Sequence, residues 1–194
     1  MAQTYCDFVA ALDARSHSAH KHYHDNEYGF PLTTDAELFG RLILEINQAG
    51  LSWTTILNKK DNFYKAYKNY DIAQIALFEE KDIAELMSDA GIIRNRRKIE
   101  AAIHNARVIL QLQESHGAFL NWLHSHHPLS REEWVRLFKK TFRFTGGEIT
   151  GEFLMSTGFL PGAHAPDCPV FTKIRAVEPA WMATIHKGEK TAGK

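Results

Sequence analysis

From Thr34 onward, apolar side chains fall at Leu38, Phe39, Leu42, Ile43 and Ile46. This i, i+3, i+4, i+7, i+8 spacing predicts a helix with one buried face. Thr34 or Asp35 is placed to cap its start and Gly50 to end it. Leu51 to Tyr70 follows, amphipathic and rich in aromatics. Asp71 to Leu77 and Asp82 to Ser88 predict two short helices, the second capped by Asp82. Arg97 to Glu114 carries Ile99, Ala102, Ile103, Ala106, Ile109 and Leu110 at helical spacing and predicts a long helix. Ala118 to His124 and Arg131 to Lys140 predict two more. Two-residue alternation never persists and β-branched residues do not cluster, so the expected class is all-α. No internal repeat or low-complexity linker interrupts the chain. One domain of two helical lobes sharing a cleft is expected over residues 1–176. Residues 177–194 turn polar and lysine-rich, and are expected to form a partly disordered tail.

Charge narrows the partners. Lys+Arg and Asp+Glu both number 23, so a nucleic-acid partner would have to be held by a local basic patch and not by a global field. Two cysteines are too few for a disulfide scaffold. Met1 to Ala11 lacks the basic and apolar regions of a signal peptide. No apolar run approaches the roughly 20 residues of a membrane span. A cytoplasmic protein, monomeric by default, is expected.

Three segments carry candidate chemistry. In Met87-Ser-Asp-Ala-Gly-Ile-Ile-Arg-Asn-Arg-Arg-Lys-Ile99, a short helix is expected to end at Gly91. A tight apolar turn with Ile92 follows, and a long helix begins after the basic residues. Backbone N–H groups at such a turn and helix start make an anion site, and Arg94, Arg96, Arg97 and Lys98 would add charge for phosphates; an ordinary helical hairpin with solvated charges has the same pattern. Tyr23-His-Asp-Asn-Glu-Tyr-Gly29, then Glu45, then Gln48-Ala-Gly-Leu-Ser-Trp53 supply aromatics and a carboxylate at the edge of an apolar helix stripe. These residues suit a flat-walled pocket that stacks a purine and accepts from its N–H groups; they equally suit core aromatics and a surface glutamate. Finally, His164-x-x-x-Cys168 lies in a Gly/Pro-rich loop, and Cys6 and His24 are further thiolate and imidazole donors. A Cys2His2 set would close a tetrahedral zinc site, although spacing alone does not pair the two halves, and two buried thiols with two surface histidines fit as well.

These segments, with Phe142-Arg-Phe-Thr-Gly146 between the hairpin and the last pair, occur in an order that resembles the 3-methyladenine DNA glycosylase I family, from about Cys6 to about Cys168. The resemblance implies a helix-hairpin-helix glycosylase fold and hydrolysis of the N-glycosidic bond of a methylated adenine in double-stranded DNA. It puts Cys6, His24, His164 and Cys168 on the ligands of one structural zinc, and Glu45 on the carboxylate that hydrogen-bonds the flipped base. Tyr23 and Trp53 fall on pocket aromatics. Leu51, between Gly50 and Ser52, falls on the wedge that fills the gap in the duplex, and Gly91 with its neighbours on the phosphate-binding hairpin. Departures lie at Tyr28, where well-known members have Trp, and at His20, where they have Tyr on the same pocket wall. Gly146 to Thr150 departs from a Thr-rich stretch and adds Glu148. Many relatives of this hairpin place an Asp in the following long helix, and Arg97 to Glu114 has none. That absence keeps a second expectation open: a zinc-stapled module that binds lesions without cutting. A zinc hydrolase is disfavoured, since four protein ligands leave no place for water.

Overall fold

The computed structural model describes residues 4–12 and 18–183, and every regular element among them is helical. The helices are α1 (Tyr5–Ala10), α2 (Ala19–Asn26), α3 (Asp35–Gln48), α4 (Trp53–Leu57), α5 (Lys60–Ala66), α6 (Ile72–Ala76), α7 (Glu80–Ser88), α8 (Arg96–His116), α9 (Phe119–His126), α10 (Arg131–Thr141), α11 (Gly147–Ser156) and α12 (Pro169–Ala176), with a 3-10 turn at Lys68–Tyr70. No described helix is long and apolar enough to cross a membrane. The chain forms two compact units, one of residues 1–32 and 154–194, the other Thr33–Phe153.

In the Thr33–Phe153 unit, α3 starts at a capping box in which Thr34 accepts from Glu37 N–H and Glu37 reaches back to Thr34. Its apolar stripe is fully buried, and so are Arg41, Glu45 and Asn47, which makes α3 a core helix on all sides. Gly40 lets it approach closely, because a Cβ there would run into the Tyr70 ring. Asp35 ties two helices together. Its carboxylate accepts from Gln113 Nε2 at 2.7 Å and from the N–H groups of Phe119 and Leu120 at 2.8 and 3.0 Å. It thereby caps α9, whose own N-cap residue, Ala118, has no side-chain acceptor. The long helix α8 starts on Asn95 and stops at left-handed Gly117, whose N–H returns to Gln113 O. Phe119, Trp122, Phe138, Phe142 and Phe153 pack as an aromatic core with centroid spacings of 5.3 to 6.3 Å.

The other unit is built on α1, α2 and α12. Cys168, Val170 and Ile174 form its buried cluster, with Cys6, Phe30, Phe171 and Trp181 against it. Gly29 holds a left-handed φ of 83°, donates to Ser156 O at 2.9 Å, and has no room for a Cβ, which would lie 2.8 Å from that of Ala163.

Several boundaries differ from the sequence expectation. Leu51 to Tyr70 breaks into α4, α5 and the 3-10 turn, with left-handed residues from Lys68 to Tyr70. Asp82 is not the cap of α7; Glu79 holds that place and Asp82 completes its box from the third position. That helix ends at Ser88, where the spacing over Asp82 to Ser88 puts it and not at the Gly91 expected from the hairpin motif, and α8 begins within the basic run, not after it. Helices α1, α2, α11 and α12 carry too little periodic apolar signal to be read in advance. Packing also continues past Ala176: Trp181 stacks on Phe171, donates to Gly158 O at 3.2 Å, and is followed by buried Met182. The rest of the expected tail, 184–194, lies outside the described residues.

Candidate functional site

Cys6 from α1, His24 from α2, and His164 and Cys168 from the loop before α12 come together with one donor atom each, all within 4.8 Å of one another. Cys6 Sγ lies 3.7 Å from His164 Nδ1, and Cys168 Sγ lies 3.6 Å from the same nitrogen and 3.7 Å from His24 Nε2. Metal–sulfur bonds of about 2.3 Å and metal–nitrogen bonds of about 2.0–2.1 Å give tetrahedral S···N edges of about 3.5 Å, so the donor set fits a four-coordinate ion with no open coordination position. The imidazoles are oriented from behind, His24 Nδ1 by Asp25 Oδ1 at 2.7 Å and His164 Nε2 by Tyr28 O at 2.8 Å. Burial lowers the pKa of His164, with His24 adding to the effect, which favours the neutral ligand form. Burial raises the Cys6 thiol, and the nearby Cys168 sulfur adds to the rise; a bound cation would reverse both effects.

The same unit assembles the aromatic residues of the first motif. Tyr23 and Tyr28 are buried with ring centroids 5.5 Å apart, and His20 is buried beside them on α2. At their centre is Tyr5, which the sequence reading did not single out. Its ring meets His20, Tyr23, His24 and Tyr28 at 5.5 to 6.4 Å, and its hydroxyl lies 3.0 Å from His20 Nδ1. Burial raises the Tyr5 phenol well above its ordinary pKa, and lowers His20, so both are neutral near pH 7. The signal for Tyr5 was its place beside Cys6; a lone tyrosine without a motif gave nothing further.

The other unit holds the remaining predicted residues. Glu45 is 4% exposed in the middle of α3. Gly50, left-handed at φ 81°, turns the chain so that Leu51 stands out, 38% exposed, before Ser52 caps α4 and Trp53 opens it. Behind this loop is Lys98, which is no phosphate ligand. It is buried, and its ammonium donates to Asn47 O at 2.8 Å and Ala49 O at 2.7 Å, closing the C-terminal end of α3. Lys59 Nζ donates to Ala90 O at 2.7 Å and Asp89 Oδ1 accepts from Gly91 N–H at 2.6 Å, so the hairpin turn of Gly91 and Ile92 is tied down. Arg96 is held between Glu80 and Glu100, while Arg94 is exposed.

Residues 13–135 match the methyladenine glycosylase family. DNA-3-methyladenine glycosylase 1 of Escherichia coli (strain K12) is 35% identical over 165 residues, covering 75% of this chain and 88% of that protein. The chain belongs to the methyladenine glycosylase family. DNA-3-methyladenine glycosylase of Haemophilus influenzae is 32% identical, over 77% of this chain and 91% of the relative. Among solved structures, 3-methyladenine DNA glycosylase I of Staphylococcus aureus superposes with a TM-score of 0.76 at 28% identity, over 88% and 97% of the two chains. A variant of 3-methyladenine DNA glycosylase I solved in complex with 3-methyladenine gives 0.74 at 28%, over 86% and 96%. Within this methyladenine glycosylase, three of the four clustered Cys and His positions are wired to an aromatic one. Tyr5 precedes Cys6, Tyr23 precedes His24, and Tyr28 O holds His164.

Proposed function

We propose that this chain is a monofunctional DNA glycosylase that hydrolyses the N-glycosidic bond of 3-methyladenine in duplex DNA. Glu45 carries the reading: a carboxylate kept out of water on a core helix acts on a purine cation far more strongly than one in solvent. Alkylation at N3 gives adenine a positive charge and weakens its bond to the sugar, so the base leaves with less help than a neutral one needs. Glu45 acts electrostatically, by preferring the charged base, and not as a nucleophile. Tyr23, Tyr28, His20 and Trp53 supply ring faces for the extruded base. Leu51, presented by Gly50 and Ser52, fills the vacated stack. The turn at Gly91 and Ile92, with Arg94, takes phosphates without reading sequence; Arg96 contributes less, since two carboxylates already meet its charge. The metal for Cys6, His24, His164 and Cys168 is zinc, one ion per chain. A closed set gives it a structural part.

The test is mass spectrometry of bases released from methylated DNA. Wild-type protein releases 3-methyladenine, and Glu45→Gln slows release by about 10²-fold or more, the usual scale for a lost electrostatic stabiliser. Tight lesion binding with no base released by the wild type would overturn the assignment.

A further inference from the structure

The loop from Lys139 to Gly147 has features that the proposed reaction leaves unused. From Trp134 to Gly147 the chain carries Arg136, Lys139, Lys140 and Arg143 and no acidic residue, although its formal net charge is zero. Lys139, Lys140 and Arg143 are exposed. Phe144 stands among them, 39% exposed and left-handed at φ 61°, a conformation that a bulky residue adopts only when its surroundings impose it. The surroundings do impose it. Fully buried Asn105 clamps the backbone of Arg143, accepting its N–H at 2.8 Å and donating to its carbonyl at 3.1 Å. Buried Thr145 bonds the carbonyls of Phe138 and Phe142. The fold thus holds an aromatic ring out into solvent by two buried polar devices.

Beside the ring lies an open depression of about 410 Å³, lined by Lys139, Phe142, Phe144, Thr145, Gly146 and Ile149. A Cβ at Gly146 or Gly147 would meet nothing within 4 Å, so a strand can approach the backbone there. Glu148 borders the patch, highly exposed and 3.3 Å from Arg131. The Lys98 ammonium, 5.8 Å from the Phe144 centroid, is also bonded to Ala49 O, two residues before Leu51. One buried cation therefore links the two loops that carry Phe144 and Leu51. The positive field is felt nearby at His104, whose pKa is lowered by burial and then by Arg143 and Arg107.

We propose that residues 139–147 form a second DNA-contacting element, in which the Phe144 ring stacks on an unstacked base beside the lesion and Arg143, Lys139 and Lys140 hold the flanking phosphates. A run of cations with no acidic residue from Trp134 to Gly147, an aromatic ring on show and continuity with the Leu51 loop match a nucleic-acid strand: stacking gives base-tolerant affinity and phosphates give salt dependence. The inference rests on the glycosylase reading for the place of the lesion, but not for the contact itself.

The experiment uses the full zinc-loaded chain and a fluorescent duplex carrying a stable abasic-site analogue. Phe144→Ala is expected to weaken binding about tenfold with an unchanged melting temperature, and Phe144→Tyr to bind like wild type. Arg143→Gln is expected to lower the slope of log affinity against log salt by about 1. Affinity for free 3-methyladenine should be the same in all of them. Wild-type DNA affinity and salt slope in both Phe144→Ala and Arg143→Gln would overturn the proposal and leave the patch to a protein partner. If wild-type protein released no base while Phe144→Ala still lost DNA affinity, the glycosylase reading would fall and this contact would stand.

Discussion

Replacing Lys98 with methionine separates a structural lysine from a DNA-binding one. The side chain keeps its length and loses two charge-assisted bonds, to Asn47 O and Ala49 O. Those carbonyls belong to the end of α3, where no further helical turn supplies donors. Leaving a buried acceptor unmet costs about 1–3 kcal/mol, so two cost about 2–6 kcal/mol. Removing a buried ammonium returns part of this, because its desolvation no longer opposes folding; burial also lowers the Lys98 pKa. A net loss of about 2–4 kcal/mol remains, or roughly 5–15 °C in melting temperature at the 2–4 °C per kcal/mol of a chain this size. Circular dichroism melts measure it, with metal content as a control, since every proposed metal ligand lies in the other unit. Lys98→Met melting within about 1 °C of wild type, with a salt slope of DNA binding lower by about 1, would refute the capping role and restore Lys98 to the phosphates.

Other outcomes test the remaining framework. Wild-type protein should contain one zinc per chain by elemental analysis, and Cys168→Ser should contain none and melt lower; equal melting with no metal in either rules the site out. Asp35→Ala removes three hydrogen bonds and the cap of α9, so a loss of about 2–3 kcal/mol is expected in urea titration, and a loss under about 0.5 kcal/mol would reject the tie. Asp71 is held below its ordinary 3.8 by Gln74, and Glu133 below its ordinary 4.5 by Ser130. Their folded pKa values lie below the unfolded ones, so the stabilisation is whole above about pH 4.5 and drains as pH falls through the folded values. Glu133→Gln should therefore lower the melting temperature at pH 7 and flatten its acid decline; an acid limb parallel to wild type would contradict this.

The large periodic helices were legible because their burial is one-sided or complete: α3, α8 and α10 carry apolar residues at helical spacing, and Thr34 was an expected cap of α3, while the caps Asn95 and Ser130 were not read. Short helices were not, since α1 and α2 carry no apolar stripe: α1 buries Val9 alone, and α2 buries His20, Tyr23 and His24. Among site residues, the clustering of Cys6 and His24 with His164 and Cys168 came from family resemblance; no spacing rule joins positions 140 residues apart. Lys98 was misjudged for a general reason. A basic run looks solvated from its composition, and only the register of α8 tells that the run's fourth cation, Lys98, turns inward while Arg94 and Arg97 stay exposed. Phe144 was hidden in a motif, because exposure of an aromatic is not written in its neighbours.

A metal at the cluster of cysteines and histidines, as proposed above, would do more than join two ends of a chain. His20, Tyr23 and His24 are spaced i, i+3, i+4 and share one face of α2. Rotating α2 to satisfy a metal through His24 therefore sets the direction of Tyr23 and His20 at the same time. Tyr5, next to Cys6, and Tyr28, whose carbonyl orients His164, are fixed by the other ligands in the same way. On this argument the proposed metal contributes to base recognition by holding ring faces still, which lowers the ordering cost of stacking. Chelated protein should then lose affinity for free 3-methyladenine by about tenfold or more at a temperature where helicity persists. Its phosphate-dependent binding to undamaged DNA should change little, because the hairpin at Gly91 and the loop at Leu51 belong to the other unit. Equal loss of both affinities would mean that the ion supports the whole fold, and base affinity unchanged by chelation would detach the metal from recognition altogether.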